Sequence, residues 1–305
     1  MDSSFFTPVP RTSSTTEPVL IGSQTDTQTS ILLKALIRHP TTSIAICFLT
    51  ILLLGAIVTP WLSEHTFFTT NLAQKNRPPS MQFLFGTDEL GRDIFVRTWY
   101  GARISLSVGI AAATIDLILG VLWGGTAAMI GGRTDEVMMR IADILYAIPY
   151  LLKVILFMVI MGSNIVTIVL AMAITGWINM ARIVRGEIMR LKELEFCHAA
   201  LSLGCSKARI LFYHLLPNAL NVIIVTVTLT IPTAIFTEAF LSFLGLGVQA
   251  PIASWGTMAS DGLPAMKYYP WRLFFPAAFI SSTMLSFNLL GDGLRDLLDP
   301  QLSKK

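Results

Sequence analysis

Charge is scarce in this chain: Asp, Glu, Lys and Arg together make up 13% of its 305 residues, against roughly 25% in an average soluble domain. So few charges cannot clothe a water-facing surface. With 53% hydrophobic residues and a mean hydropathy of +0.64, the chain is built for lipid. The formal net charge is only +3 and no basic patch is interleaved with aromatics, so nucleic acid is not an expected partner. Cysteine occurs three times, at Cys47, Cys197 and Cys205, without a C-x-x-C pair or metal-ligand spacing. This argues against a disulfide framework. The dipeptide Gly-Lys is missing, which removes a phosphate-binding loop of the G-x-x-x-x-G-K type. The four histidines form no H-E-x-x-H, and there is no G-x-S-x-G elbow. Such a chain is not expected to be an enzyme, and any energy it uses comes from elsewhere. The first thirty residues hold one basic residue, Arg11, and no apolar run of the kind a secretory signal needs. Residues 1–35 read as a mobile polar tail.

What the chain does contain is a series of long apolar runs. Spans are predicted at about 43–62, 104–130, 144–161, 165–180, 219–241 and 271–290, giving an all-α integral membrane fold. About twenty residues at 1.5 Å each cover a hydrocarbon core of roughly 30 Å. The second run is rich in Gly and Ala, which lets helix backbones approach closely in lipid. Only Gly162, Ser163 and Asn164 separate the third from the fourth, as in a tight hairpin. No repeat at a fixed period is visible. Six spans put both termini on one side. With that side inside, inner segments hold 14 of the 22 Lys and Arg and outer loops 7, Lys153 lying within a span. The bias favours cytoplasmic termini, with 303–305 as a short C-terminal tail.

Three charges fall within predicted spans: Asp116, Lys153 and Glu238. A charge at mid-bilayer costs at least ~2.5–3.5 kcal/mol, so it faces either a polar path or a helix partner. Both readings stay open for Asp116 and Lys153. Glu238 lies beside the Gly-rich segment LSFLGLG at 241–247, where irregular backbone needs protein or water around it. Glu238, Gly245 and Gly247 are therefore candidates for a gate or path-lining element. The basic stretch 181–218 carries 6 of the 22 Lys and Arg. Within it Phe196, Ala199, Ala200 and Leu203 recur at helical spacing. Gly204 suits a left-handed cap, Lys207 and Arg209 lie on a restarted helix, and Pro217 suits the first turn of the next span. By spacing alone this is either a docking site for a second protein or a loop that sets topology.

The order Ala199-Ala200-x-x-x-Gly204, nine further residues, then His214-Leu215-Leu216-Pro217 resembles the EAA loop of ABC importer permeases. The resemblance extends to FGTDELGRD at 85–93, YGARISLSVG at 100–109, GGRTDEVMMRIAD at 131–143, LSFLGLGVQ at 241–249, SWGTM at 254–258 and FNLLGDGLRDLLDP at 287–300. Together these are similar to the second permease subunit of oligopeptide, dipeptide and nickel importers, across roughly residues 35–302. His198 stands where the family's loop glutamate falls, and His214 where many members have isoleucine. The resemblance implies a type I importer permease domain over 36–302 in a bacterial inner membrane. It implies a homologous second permease, two ATP-binding cassette ATPases, an extracytoplasmic binding protein and lipid as partners. ATP would be bound by the ATPases, with no cofactor in this chain. His198, Ala199, Ala200, Gly204, Lys207, Arg209 and Pro217 would carry the coupling contact. An ion-coupled secondary carrier is the alternative, with the three intramembrane charges as ion sites.

Overall fold

A computed structural model of the chain describes residues 40–63 and 65–298. The predicted tails at 1–35 and 303–305 lie outside the described residues. Among the described residues there are helices and loops and no named strand. We number the helices α1 (Pro40–Leu62), α2 (Ile94–Ile130), α3 (Gly132–Ala147), α4 (Tyr150–Met161), α5 (Ile165–Lys192), α6 (Glu195–Ser202), α7 (Lys207–Ile210), α8 (Leu216–Phe243), α9 (Trp255–Gly262) and α10 (Trp271–Leu298).

Among the described residues, five helices are long and apolar enough to cross a membrane: α1, α2, α5, the continuous run Lys207–Phe243, and α10. The third predicted span takes another form. Instead of one helix over 144–161, α3 and α4 meet at a break and are bent by 82°. Helix α4 has 12 residues, a rise of only ~18 Å, so it cannot cross by itself. Pro149 explains the break, because it offers no N–H to the Leu145 carbonyl. The Lys153 ammonium donates to that carbonyl instead, at 3.1 Å. A similar repair occurs in α1. Pro60 leaves the Ala56 carbonyl without its helical donor, and Arg103 of α2 donates to it and, at 2.7 Å, to the Ile57 carbonyl. Lys153 is thus a structural cap, one of the two readings its sequence left open.

Helix α2 begins ten residues before the predicted span, because 85–93 is an ordered cap and not a loose polar loop. Asp88 accepts from the backbone N–H groups of Leu90 and Arg92, each at 2.9 Å, and pairs with the Arg92 guanidinium at 2.6 Å. Asp93 then caps the helix by accepting from Phe95 N–H at 2.8 Å. With 37 residues α2 is about 55 Å long, longer than the hydrocarbon core. It packs most extensively on α5.

At the opposite end of the bundle, Arg185 of α5 forms a two-pronged ion pair with Asp135 of α3, one bond at 2.6 Å. Arg182 bonds Asp143 at 2.8 Å, and Lys192 donates to the Ala128 carbonyl that ends α2 at 3.2 Å. Several basic residues of the 181–218 stretch are therefore consumed in holding the bundle's own end together.

Candidate functional site

Helix α6 and the turn after it form the first site. Glu193 and Leu194 end the long α5, and α6 runs for eight residues before Gly204 stops it at φ +82°. The 203–205 backbone closes the helix: Gly204 N–H bonds the Leu201 carbonyl at 2.9 Å and Cys205 N–H the Ala200 carbonyl at 3.1 Å. Ser206 then caps α7 by accepting from Arg209 N–H at 3.3 Å. This is the helix–glycine–helix arrangement expected from spacing.

Its faces differ from the expectation. Ala199 and Ala200 do not share an outward stripe. Ala200 is 8% exposed and packs with Cys197 on Ile188, Leu191, Ile210 and Leu211, so that side glues the loop to the bundle. The outward side carries His198, Ala199, Phe196 and Leu203, the last 84% exposed. Phe212 and Tyr213 continue the apolar surface, with Ala208 and Arg209, around a shallow groove. Lys207 and Arg209 project beside it, neither in an ion pair among the described residues. Pro217 lies in the first turn of α8, as its spacing suggested, although the run is already helical from Lys207. A π-turn over Leu211–Leu215 precedes Pro217: Leu216 N–H reaches back to the Leu211 carbonyl, and Asn218 Nδ2 donates to the His214 carbonyl at 2.6 Å.

Glu238 is a correction. It does not line a path: it is 0% exposed and sits at a junction of α2, α8 and α9. Its two oxygens accept from Ser105 Oγ at 2.8 Å and Ser242 Oγ at 2.7 Å. Ser105 Oγ in turn accepts from Trp255 N–H at 3.3 Å, and Ser254 Oγ donates to Ser242 Oγ at 3.4 Å. Four sequence motifs, at 100–109, 238, 241–249 and 254–258, therefore meet in one closed network. Glu238→Gln should disturb it, because an amide NH2 cannot accept a hydroxyl proton. Losing one buried bond costs about 1–3 kcal/mol. A lower melting temperature in detergent, with unchanged transport per folded complex, is the expected result. A gate residue would give the reverse.

Gly245 and Gly247 do border open space. They line a cavity of about 320 Å³ with Arg92, Arg97, Asp261 and Gln249 at the end of the bundle that carries the 63–93 loop. Gly245 has φ +80°, and a Cβ on Gly247 would overlap Ser242. Burial pushes the Asp261 carboxyl above the ordinary range, and the nearby Arg97 draws it back.

Of the second site, sequence reasoning singled out only Asp116, as a polar-path or helix-partner residue, and missed the rest. A cavity of about 550 Å³ lies between α2, α4, α5 and α8. Asp116, Tyr150, Thr175, Asn179 and Arg182 line it, with Thr226, Thr230, Thr233 and Thr237 along one side of α8. Those threonines recur at i, i+4, i+7 and i+11, a polar helical stripe in an apolar span. That periodicity was the available signal. Asp116 is 6% exposed, and its Oδ1 has no hydrogen-bond partner among the described residues.

Five lipid-length helices, a broken sixth element, an intramembrane polar cavity and a surface helix hinged on glycine define a multi-pass transport permease. The chain belongs to the family of binding-protein-dependent transport system inner membrane components, which matches residues 116–304, and residues 27–79 match the N-terminal TM domain of oligopeptide transport permease C. It is 60% identical over 261 residues to the oligopeptide transport system permease protein OppC of Bacillus subtilis, covering 86% of each chain. It is 56% identical over 250 residues to the dipeptide transport system permease protein DppC of the same organism, covering 82% of this chain and 78% of that one. Against OppC of Escherichia coli the identity is 43%, over 83% and 84% of the two chains. Among solved structures, an inward-facing conformation of the MetNI methionine ABC transporter superposes with a TM-score of 0.56 at 15% identity. It covers 65% of this chain and 94% of that one, and shares the fold. The chain is therefore an ABC importer permease, a transport component and not an enzyme. Nothing favours the secondary-carrier alternative.

Proposed function

We propose that the chain is half of a permease pair carrying short peptides. The names of its relatives support that cargo, and the pair supplies the wall its open cavity lacks. A homologous second permease would face α5 and α8, two ATPases would supply the energy by binding and hydrolysing ATP, and a binding protein would deliver cargo at the end bearing the 63–93 loop.

The outward face of α6 and α7 is the observation that carries this reading. Exposed Phe196, Leu203, Phe212 and Tyr213 beside two unpaired cations form an amphipathic surface on a rigid, glycine-ended lever. A large apolar patch rimmed by charge is the usual mark of a protein contact. His198, Ala199, Gly204, Lys207 and Arg209 belong to that coupling surface, Pro217 lies exposed at the start of α8 beside it, and Ala200 holds it to the bundle from behind. ATP would act by binding one state of the ATPase pair more tightly, with α6 transmitting the shift.

Purifying the tagged chain from its native membrane should bring down a second permease and an ATP-binding cassette protein in one complex. Orientation is read in the same membranes. A cysteine at Met81, which is 99% exposed, should react with an impermeant reagent from outside. One at Leu203 should react only after permeabilisation. Labelling of the Leu203 position from outside would overturn cytoplasmic placement of α6.

A further inference from the structure

The polar cavity has a chemical bias. Each of the four threonines on its α8 wall spends its hydroxyl proton on its own helix. Thr226 donates to the Val222 carbonyl at 2.7 Å, Thr230 to Thr226 at 2.9 Å, Thr233 to Leu229 at 3.1 Å and Thr237 to Thr233 at 2.7 Å. With the protons committed, these hydroxyls have acceptor lone pairs left to offer. Facing the same space is Asp116, nine-tenths buried, its Oδ1 unpartnered among the described residues. Gly176 of α5 makes room for that carboxylate, since a Cβ there would overlap it. The one cation on the lining, Arg182, is already engaged by Asp143 at 2.8 Å and lies 4.8 Å over the Tyr146 ring. It is therefore poorly placed to neutralise Asp116.

We propose that Asp116 and the threonine stripe form a subsite for a primary ammonium group, the protonated amine of a peptide passing through the cavity. An ammonium brings a positive charge and three donors with no acceptor. It complements a wall that offers one carboxylate and a row of acceptors. A carboxylate or phosphate would be repelled by Asp116, whatever the Tyr150 hydroxyl and the Asn179 amide on the same lining could donate to it. The peptide as source of the amine rests on the importer reading above; the preference of the wall for cations does not.

The test uses the assembled complex, with Cys47, Cys197 and Cys205 replaced by alanine and a reporter cysteine introduced as Leu229→Cys on the cavity lining. Modification rates by a cationic and an anionic methanethiosulfonate are compared, each normalised to the rate with a free thiol. The cationic reagent should react at least threefold faster, and Asp116→Asn should abolish the difference, as expected for a unit charge several ångströms away in a partly aqueous cavity. Asp116→Ser serves as a second variant if the asparagine form does not assemble. Equal rates in the parent complex would overturn the proposal, showing that a partner cation neutralises Asp116. A thiol that neither reagent reaches would overturn it too, since the cavity would then be filled. In proteoliposomes with binding protein, Asp116→Asn should lower maximal uptake of a free-amine tripeptide at least fivefold. An N-acetylated tripeptide should be unaffected. An N-acetylated lysine-containing peptide separates an amino terminus from a side-chain amine as the group recognised. Unchanged uptake of both free-amine and lysine peptides would sink the cargo role of the site. Failure of the wild-type complex to carry any peptide, with the reagent preference intact, would count against the importer cargo alone.

Discussion

Leu203→Asp is expected to reduce uptake by at least tenfold while leaving the permease at its normal level in the membrane. Leu203 is the last side chain before the Gly204 cap and is 84% exposed. Removing it from the bundle's own energetics costs almost nothing, because it touches so little. If α6 seats in a cleft of an ATPase, however, the aspartate carries an unpaired charge into a desolvated contact. Leaving an uncompensated charge in a desolvated contact costs about 3–5 kcal/mol, and 1.4 kcal/mol already corresponds to a factor of about ten. Ala200→Asp makes the contrast. Its side chain points into the cluster of Cys197, Ile188 and Ile210, so the charge would be buried within the loop and the loop itself would detach. Both variants lose transport, but only Leu203→Asp should keep the wild-type melting temperature. Gly204→Val falls between them. No atom lies within 4 Å of its added Cβ, so its cost is the left-handed backbone alone, ~1–2 kcal/mol. Copurification of the ATPase with each variant, scored against membrane level, decides the matter. Wild-type uptake by Leu203→Asp would remove the coupling role from this face.

How far the sequence reveals this molecule depends on whether a signal is local. The spans were legible because each apolar run is a property of consecutive residues. Gly204 was legible because a helix stop is local as well. The break at Pro149 was only half legible: proline marks it, but the 82° turn depends on Lys153 finding the Leu145 carbonyl across the bend. Glu238 was misread for a related reason. Its partners Ser105 and Ser254 are distant in sequence, and a buried carboxylate looks the same on paper whether it faces water or three serines. The inward turn of Ala200 is also tertiary, set by the apolar floor that α5 and α7 present. The threonine stripe, by contrast, is local and could have been found. It was hidden because threonine interrupts an apolar run so mildly that the span still reads as uniformly hydrophobic.

Gly124→Val is expected to abolish a folded permease altogether. Within α2, Gly120 and Gly124 are four residues apart in the stretch GVLWG, a small-x-x-x-small pattern that lets two backbones meet in lipid. The partner is α5. A Cβ on Gly124 would collide with the Ala181 carbonyl oxygen and come within 3.0 Å of its Cα, and one on Gly120 would come within 2.9 Å of the Trp177 carbonyl. These neighbours are main chain, so no rotamer change relieves the overlap. The helices must separate, and with them the most extensive contact in the bundle. Ordinary overpacking costs about 1–3 kcal/mol when side chains can shift. Here the cost should exceed that range, because dispersion along the whole α2–α5 seam is lost at once, and lipid offers no hydrophobic force to reclose it. The Arg185–Asp135 and Lys192–Ala128 ties at the same end would be strained by the same movement. Gly186→Ala on α5 is the internal control. Nothing lies within 4 Å of its added Cβ, so replacing glycine inside a helix should be neutral or stabilising by up to ~1 kcal/mol. Size-exclusion profiles of fluorescently tagged protein in detergent should show a monodisperse peak for Gly186→Ala and none for Gly124→Val. A normal peak for both would mean that α2 and α5 do not meet along this seam.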